Sequence, residues 1–442
     1  MLFRFIKYLN PVSYYSKSDP KSKSFYISYY DLPKMYRSRI ILDYGYSTKS
    51  AFLRDAAYQI FLKGIPLNLR EMNIEPSSIR LDEEIKISDE YRFIKRHYKI
   101  HWYYYILFIR ILTLNNPFKE VYFFLKNYKI KSIDKKRSKL VNDNFTIDEN
   151  NTSDRVSIVI ATLNRYSYLE NLLSDIEQQS YNNFEVIIVD QSDNFQQCFY
   201  DSFKFSKKVI YQDEKLLWKA RNRAVKESSS SYIAFLDDDC KIGKDWLFWH
   251  MHYMKKYNVS ISTGNLQSSL DTRDSSLSFS SQMPTGNCVI KYSVFQKIGL
   301  FDTQFEKMRM GDGEFGMRAI INGFIIISNP KSPIVDYKAA AGGLRYFGSW
   351  DGYRTSKIFA PMPIPSVLYF YRLYFDLESV FLSVLISLPF NLFSYKYKHF
   401  RVAKVISLLY FIFLLPFYII KFFRSWYKSS TMIMEGQKIE RI

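Results

Sequence analysis

Cysteine is scarce in this chain. Only Cys198, Cys240 and Cys288 occur among 442 residues; they are odd in number, far apart and without CxxC spacing. This excludes a disulfide framework and offers no zinc pattern, and a reducing, cytosolic compartment is expected. Histidine is nearly as sparse, with five residues. His97 and His101 have helical i,i+4 spacing but no evident acid partner. His250 and His252, two apart on an expected helix, fall on different faces, so structural roles are expected for all four. Acid is also in deficit: 43 Asp+Glu against 62 Lys+Arg leave a formal charge of +19. Such a balance favours anionic partners such as phosphates, nucleotides or an acidic membrane face. The cations are spread along the chain with no recognisable nucleic-acid motif, so nucleic acid is not an expected partner. There is no internal repeat of fixed period. The opening MLFRFIKYLNPVSYYSK interleaves cations with its apolar residues and does not read as a secretory signal.

What is present is enough apolar material to fold: 47% hydrophobic residues against 24% charged, and 18% aromatic with 37 Tyr and 37 Phe. The length suggests two or three structural units, and the texture divides the chain at 1–151, 152–350 and 351–442. The first region is basic and Tyr-rich, with a strand expected at Arg39–Asp43 and helices at Ser50–Lys63 and Trp102–Leu114. It carries no motif, and its polar, turn-rich end, Asp134–Thr152, reads as a linker.

From Val156 short β-branched runs alternate with helical periodicity. VSIVIAT, FEVIIVD, KKVIYQ, YIAFLD and VSISTGN read as buried strands. Tyr168–Gln178, Trp218–Lys226 and Asp245–Tyr257 read as helices, the first placing Leu169, Leu172, Leu173 and Ile176 on one face. The alternation predicts an α/β fold, a mainly parallel sheet flanked by helices. In such sheets ligands sit at the carboxyl ends of the strands. Polar residues gather there: Thr162 and Asn164, Asp190, and the triplet Asp237, Asp238 and Asp239.

Three carboxylates ending a buried strand repel one another unless compensated. A hard divalent cation, Mg2+ or Mn2+, satisfies them and leaves positions open for phosphate; the bland reading is an acidic surface turn. VIIVDQSDN places Asp190 where it can accept from a base or ribose, although Asp, Ser and Asn also simply favour turns. In MGDGEFGMRAIINGF, Asp312 and Glu314 precede a helix, where they are either capping residues or, for Asp312, a general base. Cys240 has no base beside it and reads as a packing residue.

In order, VSIVIATLNR, VIIVDQSDN, KARNRAV, FLDDDC, TGNCVIKYSVFQKIGLFD and GDGEFGMR resemble the motifs of the inverting, GT-A-fold glycosyltransferases of family 2, non-processive bacterial type. The resemblance implies a nucleotide-sugar donor pocket lined by Thr162, Asn164, Arg165, Asp190, Arg221, Asp237 and Asp238. It implies Asp237 and Asp239 as the DxD pair that holds the metal, with Asp336 standing where the family has a metal-side His. Asp312 would be the catalytic base, and Gly286, Asn287, Glu314 and Arg318 would lie on the acceptor side. The chain departs from the family pattern at Gly311, where Glu is usual, and lacks the QxxRW signature of processive synthases, which favours transfer of one sugar per encounter. A glycan or lipid-linked acceptor and a role in bacterial surface polysaccharide assembly follow; the alternative is a GT-A-like scaffold that binds without turnover.

The last region is apolar, aromatic and basic. Val402–Ile420 contains 19 residues with one Lys, about 28 Å as a helix, and Leu377–Phe393 is a second apolar stretch. Basic residues flank both ends of the first of these. Association with the cytoplasmic side of the membrane, peripheral or anchored through these helices, is expected.

Overall fold

A computed structural model describes residues 2–16, 25–133 (apart from 76, 78, 80 and 82), 154–267, 277–337, 339, 359–387, 411 and 413–442. The chain forms two compact units: 1–144 with 320–323, and 145–319 with 324–442.

The described part of the first unit is helical. Its main helices are α1 (Lys49–Leu62), α2 (Ile65–Glu71), α3 (Ile87–His97), α4 (Ile100–Leu112) and α5 (Pro117–Asn127). Thr48 caps α1 by accepting from the Ala51 N–H, and Asn116 caps α5 with Pro117 at its first position. The strand expected at Arg39–Asp43 does not form. The side chain of Gln59 takes the place of a neighbouring strand: it accepts from the Ile41 N–H and donates to the Ile41 carbonyl, both at 3.0 Å, and Arg96 donates to that carbonyl too. Once those groups are satisfied, no ladder is needed. His97 is buried against Asp55, as a structural reading requires.

The second unit is built on one sheet of nine strands: β1 (Val156–Thr162), β2 (Phe184–Asp190), β3 (Lys207–Tyr211), β4 (Tyr232–Asp237), β5 (Cys240–Ile242), β6 (Ile261–Leu266), β7 (Ser278–Phe279), β8 (Asn287–Lys291) and β9 (Ile326–Asp336). The order is β3-β2-β1-β4-β8-β6-β9-β5, with β7 on β9. Strands β1 to β4 pair in parallel; β1, β2 and β4 are apolar runs buried on both faces, while β3 is the edge strand and buries only Ile210. The other half is mixed: β8 runs antiparallel to β4 and β6, β5 and β7 antiparallel to β9, while β6 and β9 are parallel. The sheet is therefore mixed rather than mainly parallel. Sequence periodicity identifies a buried strand but not its direction.

Helices α6 (Tyr166–Glu177), α7 (Leu217–Glu227), α8 (Trp246–Lys256), α9 (Tyr292–Ile298) and α10 (Gly311–Ile321) accompany the strands. Helix α6 buries Leu169, Leu172, Leu173 and Ile176, the face its spacing predicts. Three more helices follow: α11 (Pro365–Tyr374), α12 (Leu377–Ser387) and α13 (Leu415–Glu435). Beyond α13 the backbone runs beside 300–303: the Leu300 N–H donates to the Glu440 carbonyl and the Thr303 N–H to that of Lys438. No described helix is long and apolar enough to cross a membrane. Most of the 402–420 stretch and the end of Leu377–Phe393 lie outside the described residues.

Candidate active site

Strand register sets the site. Thr162 on β1 stands opposite Asp190 on β2, and Ala161 opposite Asp237 on β4, so the polar ends of three parallel strands share one sheet edge. The β4–β8 pairing sets Leu236 against Asn287 and so brings Gly286 to the same edge. A Cβ on Gly286 would lie 2.5 Å from Asp237 Oδ2, closer than any real side-chain contact, so this position must be glycine while Asp237 keeps its place.

The Asp triplet is held by two arginines. Arg165 Nη1 lies 2.8 Å from Asp238 Oδ1 and 3.2 Å from Asp239 Oδ2, and the Thr162 hydroxyl donates to Asp238 Oδ2 at 2.8 Å. Arg221 donates from Nη2 to Asp237 Oδ1 at 2.8 Å and from Nη1 to the Thr285 hydroxyl at 2.6 Å. Burial pushes the Asp238 carboxyl up to about 6, against Arg165 and Thr162, with Asp239 adding to the rise. Asp239 is raised in the same sense, first by burial and then by Asp237 and Asp336, with Arg165 opposing. Asp336 arrives at the triplet because β5 and β9 pair Cys240 with it. Cys240 is buried, and its thiol is pushed up by burial and by the four carboxylates around it, which makes it a packing residue and not a nucleophile.

Whether these residues fit a divalent ion can be judged from that crowding. Four carboxylates act on the Cys240 thiol, and Asp239 is raised by Asp237 and Asp336, a crowding that a cation relieves. Among the described residues no three His, Cys, Asp or Glu side chains converge into a complete metal site. The set fits an ion whose remaining positions are filled from outside the protein, as by phosphate.

Asp190 is fully buried and occupied: it accepts from the hydroxyls of Tyr166 at 2.6 Å and Tyr200 at 2.7 Å, and from the Ser192 N–H at 2.9 Å. Burial and the carboxylate raise the Tyr200 phenol. Asn164, at φ 55°, donates its N–H to Ser192 Oγ and exchanges side-chain and backbone bonds with Asp193. These bonds lock the loop after β1 to the loop after β2.

Asp312 follows a glycine that is packed on Trp218. Gly311 sits against the indole so closely that a Cβ there would be 2.4 Å from the ring. Arg221 in turn lies 5.2 Å over that ring on its way to Asp237. The buried Cys288 thiol feels all three groups: burial raises it, Arg221 opposes, and Asp312 and Asp237 raise it further. The Gly311 departure thus has a steric reason, because the place of a side chain is filled by Trp218. The sequence gives no signal for that role, since Trp218 opens an ordinary amphipathic helix 93 positions earlier; the same holds for Thr285, Tyr166 and Tyr200.

Three expected site residues are engaged in interior hydrogen bonds. Glu314 is fully buried and accepts from Arg318 at 2.9 and 2.8 Å, from the Tyr374 hydroxyl at 2.6 Å and from Gln437 at 3.2 Å. Arg318 also donates to the carbonyls of Ile298 and Leu300. This pair fastens α10 to α11 and to the segment after α13. Their i,i+4 spacing carries the reason: both lie on the buried side of α10. Asn287 accepts from Trp246 Nε1 and His250 Nε2 and donates to the Ser332 carbonyl, an interior brace.

Residues 157–317 match the family model described as Glycosyl transferase family 2. Over 112 residues the chain is 30% identical to the putative teichuronic acid biosynthesis glycosyltransferase TuaG of Bacillus subtilis, covering 24% of this chain and 44% of that protein. Over 119 residues it is 25% identical to glycosyltransferase GlyA of Streptococcus pneumoniae, covering 26% and 17%. The chain thus spans less than half the length of these relatives. Among solved structures, S. aureus TarS 1-349 in complex with UDP-GlcNAc aligns at TM-score 0.42 and 16% identity over 60% of this chain and 79% of that one. The mannosyltransferase PcManGT of Pyrobaculum calidifontis in complex with GDP-Man and Mn2+ aligns at 0.38 and 13% over 64% and 79%. The stretch from 157 to 317, with the Asp triplet at the edge of its sheet and Asp312 opening its last helix, is thus the part of the chain that resembles glycosyl transferase family 2.

Proposed function

We propose that this chain transfers a sugar from a nucleotide-sugar donor to a hydroxyl of a glycan or lipid-linked acceptor in surface polysaccharide assembly, with inversion and with the help of a divalent cation. The observation that carries the reading is that Asp237 and Asp312, 75 positions apart, both act on the buried Cys288 thiol, as does Arg221, which pairs with Asp237. A metal-side acid and a candidate base therefore share one neighbourhood.

In this reading Asp237 and Asp239 hold the cation, whose chemistry is to offset charge on the departing diphosphate. Asp312 accepts the proton of the acceptor hydroxyl as its oxygen bonds to the anomeric carbon and the bond to the diphosphate oxygen breaks. Arg221 keeps Asp237 aimed, and Arg165 pairs with Asp238 and Asp239. Thr162 and the Asn164–Asp193 lock shape the donor side around Asp190. Asp336 adds negative charge beside Asp239.

The test is a panel of nucleotide sugars with Mn2+ or Mg2+, read as nucleoside diphosphate release and as transfer to acceptor extracts. Asp239→Ala should abolish metal-dependent donor binding. Asp312→Asn should keep donor binding and cut transfer on the order of 100-fold or more. Donor binding with no turnover in the presence of acceptor extract would favour the scaffold alternative, and full activity of Asp312→Asn would remove the base assignment.

A further inference from the structure

The first unit ends in a helical hairpin, α4 and α5, that carries a surface unlike the rest of it. On α4, Tyr104, Phe108, Ile111 and Leu112 are 48, 62, 39 and 60% exposed, and on α5, Phe118, Val121, Tyr122 and Leu125 are 85, 38, 60 and 63% exposed. The spacing is i, i+4, i+7/8 on one helix and i, i+3/4, i+7 on the other, so each helix presents one continuous apolar stripe. The hydroxyls of Tyr104 and Tyr128 meet at 3.1 Å and join the two stripes. At the turn between the helices Leu114 is 95% exposed and adopts φ 60°, a costly backbone for a leucine. Buried stripes on the opposite sides of these helices, through Tyr103, Ile106, Ile109 and Phe124, already supply the packing. The outward stripe is therefore not needed for the fold, and patches of this kind mark a partner.

Charge identifies the partner. Between residues 99 and 132 the only acid is Glu120, and it is buried on Arg110 and the Tyr91 hydroxyl. Lys119, Lys126 and Lys129 border the α5 stripe, all exposed. The outer face thus offers aromatic and aliphatic side chains ringed by lysine and no exposed carboxylate. This is the composition of a helix lying in the headgroup layer, with Tyr and Phe at the acyl boundary and Lys at anionic phosphates. We propose that the α4–α5 hairpin docks on an anionic lipid bilayer. The hairpin carries none of the residues assigned to sugar transfer.

Vesicle co-sedimentation of the full chain tests this, using phosphatidylcholine with or without phosphatidylglycerol. Binding is expected on the anionic vesicles and at least 10-fold weaker on the neutral ones. Phe108→Ser/Leu114→Ser/Phe118→Ser should weaken it at least 10-fold with an unchanged melting temperature. Lys119→Gln/Lys126→Gln/Lys129→Gln, which leaves the apolar stripe intact, should cost up to about fivefold per lysine and flatten the salt dependence. Unchanged binding by either variant, or no binding by the unmodified chain, overturns the proposal. So does a dimer in sedimentation that Phe118→Ser converts to monomer, since the face would then be covered by a second copy.

Discussion

Glu314 offers a direct way to separate a structural acid from one that touches substrate. Glu314→Ala removes a carboxylate with no exposed surface that accepts four hydrogen bonds, two from Arg318 and one each from Tyr374 and Gln437. Arg318 is 8% exposed and keeps its carbonyl partners, but its charge loses its counterion. Breaking a buried pair from one side costs about 3–5 kcal/mol, a large share of the 5–15 kcal/mol that is typical of a folded domain. At about 2 °C per kcal/mol for a unit of this size, the melting temperature should fall by roughly 6–10 °C. Because Tyr374 and Gln437 also lose their acceptor, proteolysis in the α11 region and after α13 should speed up first. Glu314→Gln retains an acceptor of the same shape and should recover part of the loss, leaving the charge deficit on Arg318. Thermal melts, limited proteolysis and donor binding at a temperature where the variant is folded give the answer. A Glu314→Ala chain that melts like the unmodified protein yet fails to transfer sugar would refute this reasoning and return Glu314 to the acceptor side.

Gly286→Ala should lower metal-dependent donor binding at least 10-fold, because the new Cβ would displace the Asp237 carboxylate; calorimetric titration of nucleoside diphosphate with Mn2+ reads it. Gly311→Ala should cost about 1–3 kcal/mol through collision with Trp218. In a Trp218→Leu background most of that cost should vanish, as a double-mutant denaturation cycle would show. His250 lies buried between the Ser262 hydroxyl and Asn287 Oδ1, and burial lowers its proton affinity to about 4 from the ordinary 6.5. The unfolded chain then binds the proton more readily, so the stability contribution is complete above about pH 6.5 and is lost as pH falls towards 4. The loss is on the order of 3 kcal/mol, and denaturant midpoints at pH 7.5 and 4.5 should converge in His250→Gln.

Strands β1 to β4 and β6 were legible because short apolar, β-branched runs stand out from polar surroundings. Strands β5 and β7 are too short, and β9 too broken by polar residues and proline, to do so, and β8 was not legible either. Helix α6 was legible through four apolar positions on one face. Arg39–Asp43 has a strand's composition but finds its hydrogen bonds in Gln59 and Arg96, and nothing local encodes that exchange. Asp190 and the Asp triplet were visible as acids at strand ends, and their alignment followed from the parallel register. Glu314 and Arg318 looked like site residues because they share a motif with Asp312, yet a helix turns its side chains by about 100° per residue, and these two face inward.

What the sequence by itself determined is strands β1 to β4 and β6 with helices α6, α7 and α8 of the second unit, the carboxylates at the strand ends and the uneven charge, since each is written in local pattern. The tertiary structure alone decided strand direction in the second half of the sheet, the seat of Gly311 on Trp218, the bond from Arg221 to Asp237, and which acids face outward. Those outcomes rest on contacts between residues tens of positions apart, and a contact of that range leaves no periodicity in either partner's neighbourhood to announce it.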